Sequence, residues 1–384
     1  MQFEFGTAAR IIFGPGASRD VGSLAKNLGR RALVVVGRSL ERSHRFIEAL
    51  ESSRIDCAAF HVPHEPTTNL VSAGTQMAKA AQCDVVIAVG GGSVLDAAKA
   101  IAAIASHGGE VTDYLEVVGQ GKSLNQPALP WIAVPTTAGT GAEVTRNAVL
   151  ASPEHRMKAS LRSPGLVARV ALVDPELTHD LPPALTASTG LDALTQLIEP
   201  YVSHRANPIT DGFCVEGLRR CAGSLRRVFD NGRDARAREE MSLASLLSGL
   251  ALANAGLGAV HGFAAAIGGM FPAPHGAVCA ALLPRVMEMN VRALRERDPQ
   301  SPSLRRFGEV ARLLTGNPAA EPADGVDWIR ALCSALQIPS LRAYGIAPEH
   351  FPELTEKTAK ASSTKNNPIV LHVAELREIL AAAI

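Results

Sequence analysis

Residues 85–100, VVIAVGGGSVLDAAKA, decide the fold of the first half of the chain. Their apolar run predicts a buried strand, the three glycines predict a tight turn, and the residues from Ser93 onward predict a helix. Because glycine has no Cβ, an anion can approach the backbone of such a turn, where the helix also directs its free amide groups and positive dipole end. The stretch therefore indicates a phosphate site at Gly91, Gly92 and Ser93, with Asp96 one turn into the helix. A plain strand-to-helix turn, with Asp96 as a first-turn acid, is the alternative.

Strand-like and helix-like segments alternate on both sides of this stretch. Apolar runs at 32–37, 57–62 and 131–135 have the composition of buried strands, and helical patterns separate them. This alternation predicts a parallel, Rossmann-like sheet with helices on both faces, which binds nucleotides at the carboxyl ends of its strands. Before it, Phe3–Phe5 and Arg10–Phe13 predict an opening hairpin.

The pattern changes at Leu181, after which Pro182 and Pro183 interrupt the chain and long helical periodicities dominate. We therefore predict an α/β nucleotide-binding domain over residues 1–180 and an all-α domain over residues 181–384. The length of 384 residues agrees with two domains, since single cores stop growing at about 250–300 residues.

A second loop, PTTAGTGAEVT at residues 135–145, also follows a predicted strand. It concentrates hydroxyls and small residues where a loop could clasp a bound cofactor. Clustered threonines are often only turn chemistry, but two such loops after two strands of one sheet favour a cofactor site.

Composition points to small-molecule partners. Lys and Arg total 38 against 37 Asp and Glu, a formal charge of +1, which gives no indication of nucleic acid or an acidic membrane surface. Six scattered cysteines without a Cys-x-x-Cys pair predict reduced thiols in a cytoplasmic protein. The apolar stretch 249–271 contains Asn254 and His261, so we predict an interior helix there and not a membrane span.

A candidate metal site lies in the predicted all-α domain. Asp192 and Gln196 stand four residues apart on one helix face, and His261 and His275 follow further along the chain. A carboxylate and two imidazoles suit Zn²⁺ or Fe²⁺ and leave a position for a substrate oxygen. Taken singly, Asp192 could equally be a helix-surface acid and His261 a hydrogen-bonded core histidine.

Together these blocks resemble the iron-containing (group III) alcohol dehydrogenases. The resemblance rests on GGGSVLD at 90–96, PTTAGTGAEVT at 135–145, Asp192-Ala-Leu-Thr, His261 and Pro274-His275-Gly276, in the order and spacing of that family. It implies an NAD or NADP cofactor, a divalent metal (Fe²⁺ or Zn²⁺) at the bottom of a cleft between the two domains, and commonly a homodimer.

Carried over residue by residue, the resemblance implies two sets of site residues. The pyrophosphate would lie on Gly91, Gly92 and Ser93, and the rest of the cofactor would be surrounded by Thr136, Thr137, Thr140, Thr145, Asn147 and Lys158. The metal positions would be Asp192, Gln196, His261 and His275, of which Asp192, His261 and His275 would act catalytically through the ion.

Three positions depart from the family pattern. Gln196 stands where the family has a histidine ligand, and an amide oxygen is a weaker donor, so iron is less secure as the metal. Ala265 replaces a histidine that relays protons in many members. In many family members an aspartate that binds the adenosine ribose follows the strand at this place, whereas this chain has Gly37 and Arg38. The loss of the acid and the gain of an arginine tolerate or favour a 2′-phosphate on the cofactor.

The function predicted from the sequence is the interconversion of an alcohol and an aldehyde or ketone by hydride transfer. A lyase similar to dehydroquinate synthase would need a basic substrate site, yet residues 261–283 contain no Lys or Arg. A maleylacetate reductase would also need a basic pocket. A non-catalytic binding protein is the remaining alternative, which Gln196 and Ala265 favour.

Overall fold

The chain divides into two compact units in a computed structural model that describes residues 2–38 and 40–384. One unit comprises residues 6–137 and 141–178, and the other comprises residues 2–5, 138–140 and 179–384. Residues 138–140, in the middle of the second loop, thus belong to a different unit from the residues on either side of them.

The first unit is built on a six-stranded parallel sheet, which confirms the predicted α/β class. The strands follow the order β1-β8-β5-β4-β2-β3, and every neighbouring pair is parallel. A separate antiparallel pair is formed by β6 and β7. The strands are β1 Ile11–Phe13, β2 Arg31–Val36, β3 Asp56–His61, β4 Val85–Gly90, β5 Trp131–Pro135, β6 Asn147–Ser152, β7 Met157–Arg162 and β8 Val170–Val173.

The central strands are buried because helices cover both faces of a parallel sheet. All of β4 and β5 and all but the first residue of β2 are buried. The connecting helices are α1 Val21–Lys26, α2 Leu40–Ser52, α3 Thr68–Ala80, α4 Gly92–His107 and α5 Val111–Tyr114. The Gly-rich turn leads from β4 into α4, as the sequence predicts.

The predicted opening hairpin is wrong. Strand β1 pairs in parallel with β8, and residues 3–5 are not in a strand. Backbone groups on either side of β1 form hydrogen bonds with residues far along the chain. Ala9 N donates to Ala168 O and Gly14 N donates to Val173 O, each at 3.1 Å. The aromatic ring of Phe5 instead packs against Phe213, with ring centroids 5.8 Å apart.

The described part of the second unit is helical. Its helices are α6 Pro183–Val202, α7 Pro208–Asp230, α8 Ala235–Ala255, α9 Ala259–Met270, α10 His275–Arg297, α11 Pro302–Thr315, α12 Pro322–Ala335, α13 Phe351–Lys360 and α14 Val373–Ala383. Helix α6 is buried from Leu191 to Val202 and packs against α7, α8 and α10. It is therefore the central helix of this unit.

Among the described residues, no single helix has the length and apolar composition needed to cross a membrane. Helices α8 and α9 meet that test only as a pair, and they are bent by 97° relative to each other.

Candidate functional site

Four side chains converge inside the helical unit. The ligand-type atoms of Asp192, His261, His275 and Cys279 all lie within 4.8 Å of one another. Asp192 Oδ1 is 3.4 Å from Nε2 of His261 and 3.7 Å from Nε2 of His275. Three of the four residues are buried and His275 is partly exposed. The cluster brings together three of the four metal positions predicted from the sequence and adds a thiol.

Three helices position these groups. Asp192 lies in the middle of α6, His261 in the first turn of α9, and His275 is the first residue of α10, with Cys279 one turn later on the same face. Gly276 permits α10 to approach α6 closely, because a Cβ at this position would lie 2.4 Å from the carbonyl oxygen of Ser188. Any larger residue at position 276 would push the two helices apart.

Asp192 provides an ionised oxygen that lies beside two imidazoles but accepts no hydrogen bond from the described residues. Its Oδ1 atom is buried and makes no hydrogen bond within the described part of the chain. Burial alone would raise the pKa of Asp192, but the imidazoles of His275 and His261 lower it below its ordinary value. A buried carboxylate oxygen without a donor is costly unless a cation lies beside it, so the residues fit a bound metal ion.

Glu199 orients the His261 ring through a hydrogen bond to Nδ1. Its carboxylate accepts hydrogen bonds from Val260 N at 2.8 Å and from Nδ1 of His261 at 2.6 Å. Burial by itself would lower the pKa of His261, but Cys279, Glu199 and Asp192 together raise it well above its ordinary value. A carboxylate on one imidazole nitrogen fixes the ring and leaves the other nitrogen to bind a metal.

The amide of Gln196 can be placed in two orientations. In one, its nitrogen donates to Asp192 Oδ2 at 3.3 Å while its oxygen accepts from Ser248 Oγ at 2.8 Å. In the other, its nitrogen lies 3.0 Å from the carbonyl oxygen of Gly139 and 2.8 Å from Ser248 Oγ. We favour the second orientation because the first sets the amide oxygen against the Gly139 carbonyl. The second orientation directs the amide oxygen toward Asp192. Two oxygens placed in this way suit a nearby cation.

The predicted phosphate turn has the expected geometry. Gly91 is the N-cap of α4 and has no side chain to cap the helix, so the amide groups of Gly92 and Ser93 are available for an anion, whereas Val94 N donates to Gly91 O at 2.9 Å. A Cβ at Gly91 would lie 3.2 Å from Cγ2 of Thr137, tighter than an ordinary contact. A side chain at position 91 would therefore crowd Thr137. Gly92 and Ser93 lie in the first turn of the helix.

Several other predicted cofactor residues belong to an internal network. Asp96 Oδ2 accepts a hydrogen bond from Val149 N at 3.0 Å, and its Oδ1 lies 3.4 Å from Nζ of the buried Lys99. Lys99 also donates to Thr145 Oγ1 at 2.7 Å and to the backbone oxygen of Asn147 at 2.8 Å. Asp96, Thr145 and Asn147 thus fasten α4 to the loop and to β6, and their contact with a cofactor stays a prediction.

The other predicted cofactor residues, Thr136, Thr140 and Lys158, each have a partner elsewhere in the chain. Thr136 N donates to Gly90 O at 3.0 Å, which joins the two loops. Thr140 belongs to the helical unit, where its carbonyl oxygen lies 3.3 Å from the Gln196 amide nitrogen in the favoured orientation. Lys158 forms an ion pair with Glu65 at 2.6 Å.

Gly37 follows β2 and has room for a Cβ atom. A Cβ there would lie 3.6 Å from Cγ2 of Val94, an ordinary contact. The exposed side chain of Arg38 donates from Nε to the carbonyl oxygen of Pro63.

Sequence reasoning missed Cys279 and Glu199. Cys279 follows His275 by four residues, and Glu199 follows Asp192 by seven, so each shares a helix face with a predicted metal position. These spacings were the available signal, but the sequence alone does not show which helices pack against each other.

Comparison with known proteins agrees with this architecture. Residues 8–175 match the family model for iron-containing alcohol dehydrogenase, and residues 186–384 match the model for the C-terminal part of the Fe-containing alcohol dehydrogenase family. Alcohol dehydrogenase 4 of Saccharomyces cerevisiae is 36% identical over 365 residues, covering 93% of this chain and 92% of the yeast protein.

Two solved structures extend the comparison. A 1,3-propanediol oxidoreductase superposes with a TM-score of 0.92 at 34% identity, with 100% of both chains covered. Sulfoacetaldehyde reductase from Bifidobacterium kashiwanohense, in complex with NAD⁺, superposes with a TM-score of 0.87 at 28% identity, covering 100% of this chain and 99% of that one.

The chain belongs to the iron-containing alcohol dehydrogenase family. It is an oxidoreductase of the alcohol dehydrogenase type, which confirms the enzyme class predicted from its sequence. The comparisons favour this function over the lyase, maleylacetate reductase and non-catalytic alternatives.

Proposed function

We propose that this protein interconverts a small, uncharged alcohol and its aldehyde or ketone, using NAD or NADP and a divalent ion held by Asp192, His261 and His275. The observation that carries the proposal is the buried Asp192 oxygen, which accepts no hydrogen bond from the described residues and faces two imidazoles. When bound, the ion supplies Lewis acidity toward the substrate oxygen, and the nicotinamide carries the hydride.

Each protein group has a defined part in this proposal. Asp192 supplies the anionic oxygen, and Glu199 keeps Nε2 of His261 directed toward it through the hydrogen bond to Nδ1. His275, fixed at the start of α10, supplies the second imidazole. Because Ala265 carries no titratable group, the substrate proton must leave by a route other than a side chain at that position.

The cofactor part of the proposal rests on the Gly-rich turn. The amides of Gly92 and Ser93 at the start of α4 would donate to the pyrophosphate of the dinucleotide, beside Gly91, which has no side chain. The NAD⁺ complex of the sulfoacetaldehyde reductase structure supports a nicotinamide cofactor in this architecture.

A small neutral substrate is supported by the composition of the chain near the metal positions. Residues 261–283 provide no Lys or Arg to pair with an acidic substrate. The relative named 1,3-propanediol oxidoreductase supports diols and short aldehydes as the first compounds to test. The homodimer and the cytoplasmic location stay predictions.

The test is a metal analysis of the purified protein together with NADH and NADPH oxidation assays against a panel of aldehydes, including a sulfonated and a carboxylated one. We expect about one divalent ion per chain and turnover of neutral aldehydes. Asp192→Asn should lose both the ion and the turnover, while Asp230→Asn, an exposed acid on α7, serves as the matched control. A metal-loaded protein that turns over no carbonyl compound with either cofactor would refute the proposal.

A further inference from the structure

We propose that the thiolate of Cys279 is an additional protein ligand of the divalent ion, so that this chain binds its metal with an Asp-His-His-Cys set. The inference rests on the proposed function in one respect, namely that the cluster holds a divalent ion. It concerns a residue that no sequence motif singled out.

The distances around Cys279 fit coordination. Its Sγ atom lies 3.9 Å from Nε2 of His261 and 3.8 Å from Nε2 of His275. Ligand bonds of about 2.0–2.3 Å separate ligand atoms by roughly 3.3–3.6 Å in a tetrahedral arrangement, and expansion to five-coordination keeps a position for the substrate oxygen. The cluster therefore needs only small side-chain shifts to place four donors around one centre.

Asp192 provides independent support for a ligand at this point. Its Oδ1 atom is buried, makes no hydrogen bond within the described chain, and belongs to the same cluster of ligand atoms as Cys279 Sγ. The sulfur, the carboxylate oxygen and the two imidazole nitrogens that lie together here all belong to groups that bind metals.

Helix geometry holds Cys279 in this position. It is fully buried and follows His275 by one helical turn, so both side chains project from the same face of α10. Gly276, between them, lets this face approach Asp192 on α6.

Gln196 occupies a different place around Asp192. It lies near Oδ2, whereas the imidazoles and the sulfur lie near Oδ1. The contribution of Cys279 can therefore be tested separately from that of Gln196.

Coordination requires that the thiol lose its proton. The ion forms a bond to sulfur, the S–H bond breaks heterolytically, and the proton goes to solvent without any change of oxidation state. A thiolate is a soft donor that favours zinc, and also cobalt as its spectroscopic substitute, over ions that prefer oxygen ligands.

Another cysteine provides a matched control. Cys333 on α12 donates from Sγ to the carbonyl oxygen of Ala280, the residue after Cys279, but it is not part of the cluster. A serine hydroxyl can make the same hydrogen bond, so Cys333→Ser changes a thiol beside α10 without changing the proposed ligands.

The experiment is to remove bound metal from the full-length protein with a chelator, add one equivalent of Co²⁺ and record the absorption spectrum. We expect an intense near-ultraviolet sulfur-to-cobalt charge-transfer band in the natural protein and in Cys333→Ser. Cys279→Ser and Cys279→Ala should lose this band but keep the weaker visible bands of cobalt bound through Asp192, His261 and His275. Competition with a chelator should also show Zn²⁺ held at least about tenfold more weakly by both Cys279 variants.

The possible outcomes separate the two proposals. Cobalt that binds with visible bands but without a charge-transfer band in the natural protein overturns the role of Cys279 alone. A charge-transfer band that persists in Cys279→Ser also overturns it. Failure of the natural protein to bind either cobalt or zinc overturns the metal site itself, and with it the proposed function.

Discussion

The carboxylate of Glu199 accepts a hydrogen bond from Nδ1 of His261 at 2.6 Å, and Nε2 of the same ring faces Asp192 Oδ1 at 3.4 Å. This relationship determines which imidazole nitrogen is available to a metal. In the proposed metal site it would also couple the protonation of His261 to metal binding, because an imidazole must be neutral to act as a ligand.

Glu199→Gln should weaken metal binding by about 10–100-fold, the usual cost of losing the group that orients a ligating histidine. Measurement by chelator competition should use Glu239→Gln, an exposed residue on α8, as the control. Equal affinities in the natural protein and Glu199→Gln would show that Glu199 does not orient a ligand.

Metal affinity should rise with pH. The pKa of metal-free His261 is raised well above its ordinary value, against the effect of burial, by Cys279, Glu199 and Asp192. Below this pKa the ring is protonated, and the proton competes with the ion. Above it the competition is lost, so affinity increases. Chelator competition at a series of pH values checks the sign, and a decrease in affinity toward alkaline pH would contradict it.

Asp192→Ala and His275→Ala should each abolish turnover while leaving the dinucleotide nearly as tightly bound as before. Each variant removes a metal position from the helical unit, whereas the proposed phosphate contacts lie in the α/β unit. Cofactor binding is measured by NADH fluorescence titration, and activity with a neutral aldehyde. Near-normal kcat in either variant with no stoichiometric metal would rule out metal-assisted catalysis.

Gln196→His should raise metal affinity by roughly tenfold or more. The reason is that an imidazole replaces a neutral amide beside Asp192, at a position already directed toward this carboxylate. Chelator competition on the two purified proteins provides the comparison. Unchanged metal retention would mean that position 196 does not face the ion.

The natural protein should use NADPH at least as well as NADH, and Gly37→Asp should reduce the use of NADPH. The Cβ of the new aspartate fits, since among the described residues its nearest neighbour outside the adjoining chain would be Cγ2 of Val94, at an ordinary contact distance of 3.6 Å. The introduced carboxylate would repel the 2′-phosphate of NADPH. Two like charges about 4 Å apart repel by roughly 1–4 kcal/mol, so we expect kcat/KM for NADPH to fall by at least about fivefold. If both proteins prefer NADH equally, the inference from Gly37 and Arg38 fails.

Lys99→Met should destabilise the α/β unit by about 3–5 kcal/mol, because it leaves the Asp96 carboxylate without its cation. Lys99 is fully buried and also bonds to Thr145 and to the backbone of Asn147. Urea unfolding followed by circular dichroism measures the change, with the exposed Lys79→Met as control. A difference below about 1 kcal/mol between the two variants would show that the ion pair contributes little.

The sequence by itself determined the strand and helix alternation, the Gly-rich turn and the helical character of the second half. These features depend on local periodicity and on the absence of a Cβ at a few positions, which a linear pattern records. It also placed Asp192 and Gln196 on one helix face, since their spacing is a property of the helix alone.

Only the tertiary structure decided which groups meet. The approach of α10 to α6 at Gly276 brings Cys279 beside Asp192, His261 and His275, and the Gly139 carbonyl favours one orientation of the Gln196 amide. Strand β1 pairs with β8, more than 150 residues along the chain, and not with the residues just before it. Packing and hydrogen bonding between segments far apart in the chain select these contacts, and residue spacing does not encode them.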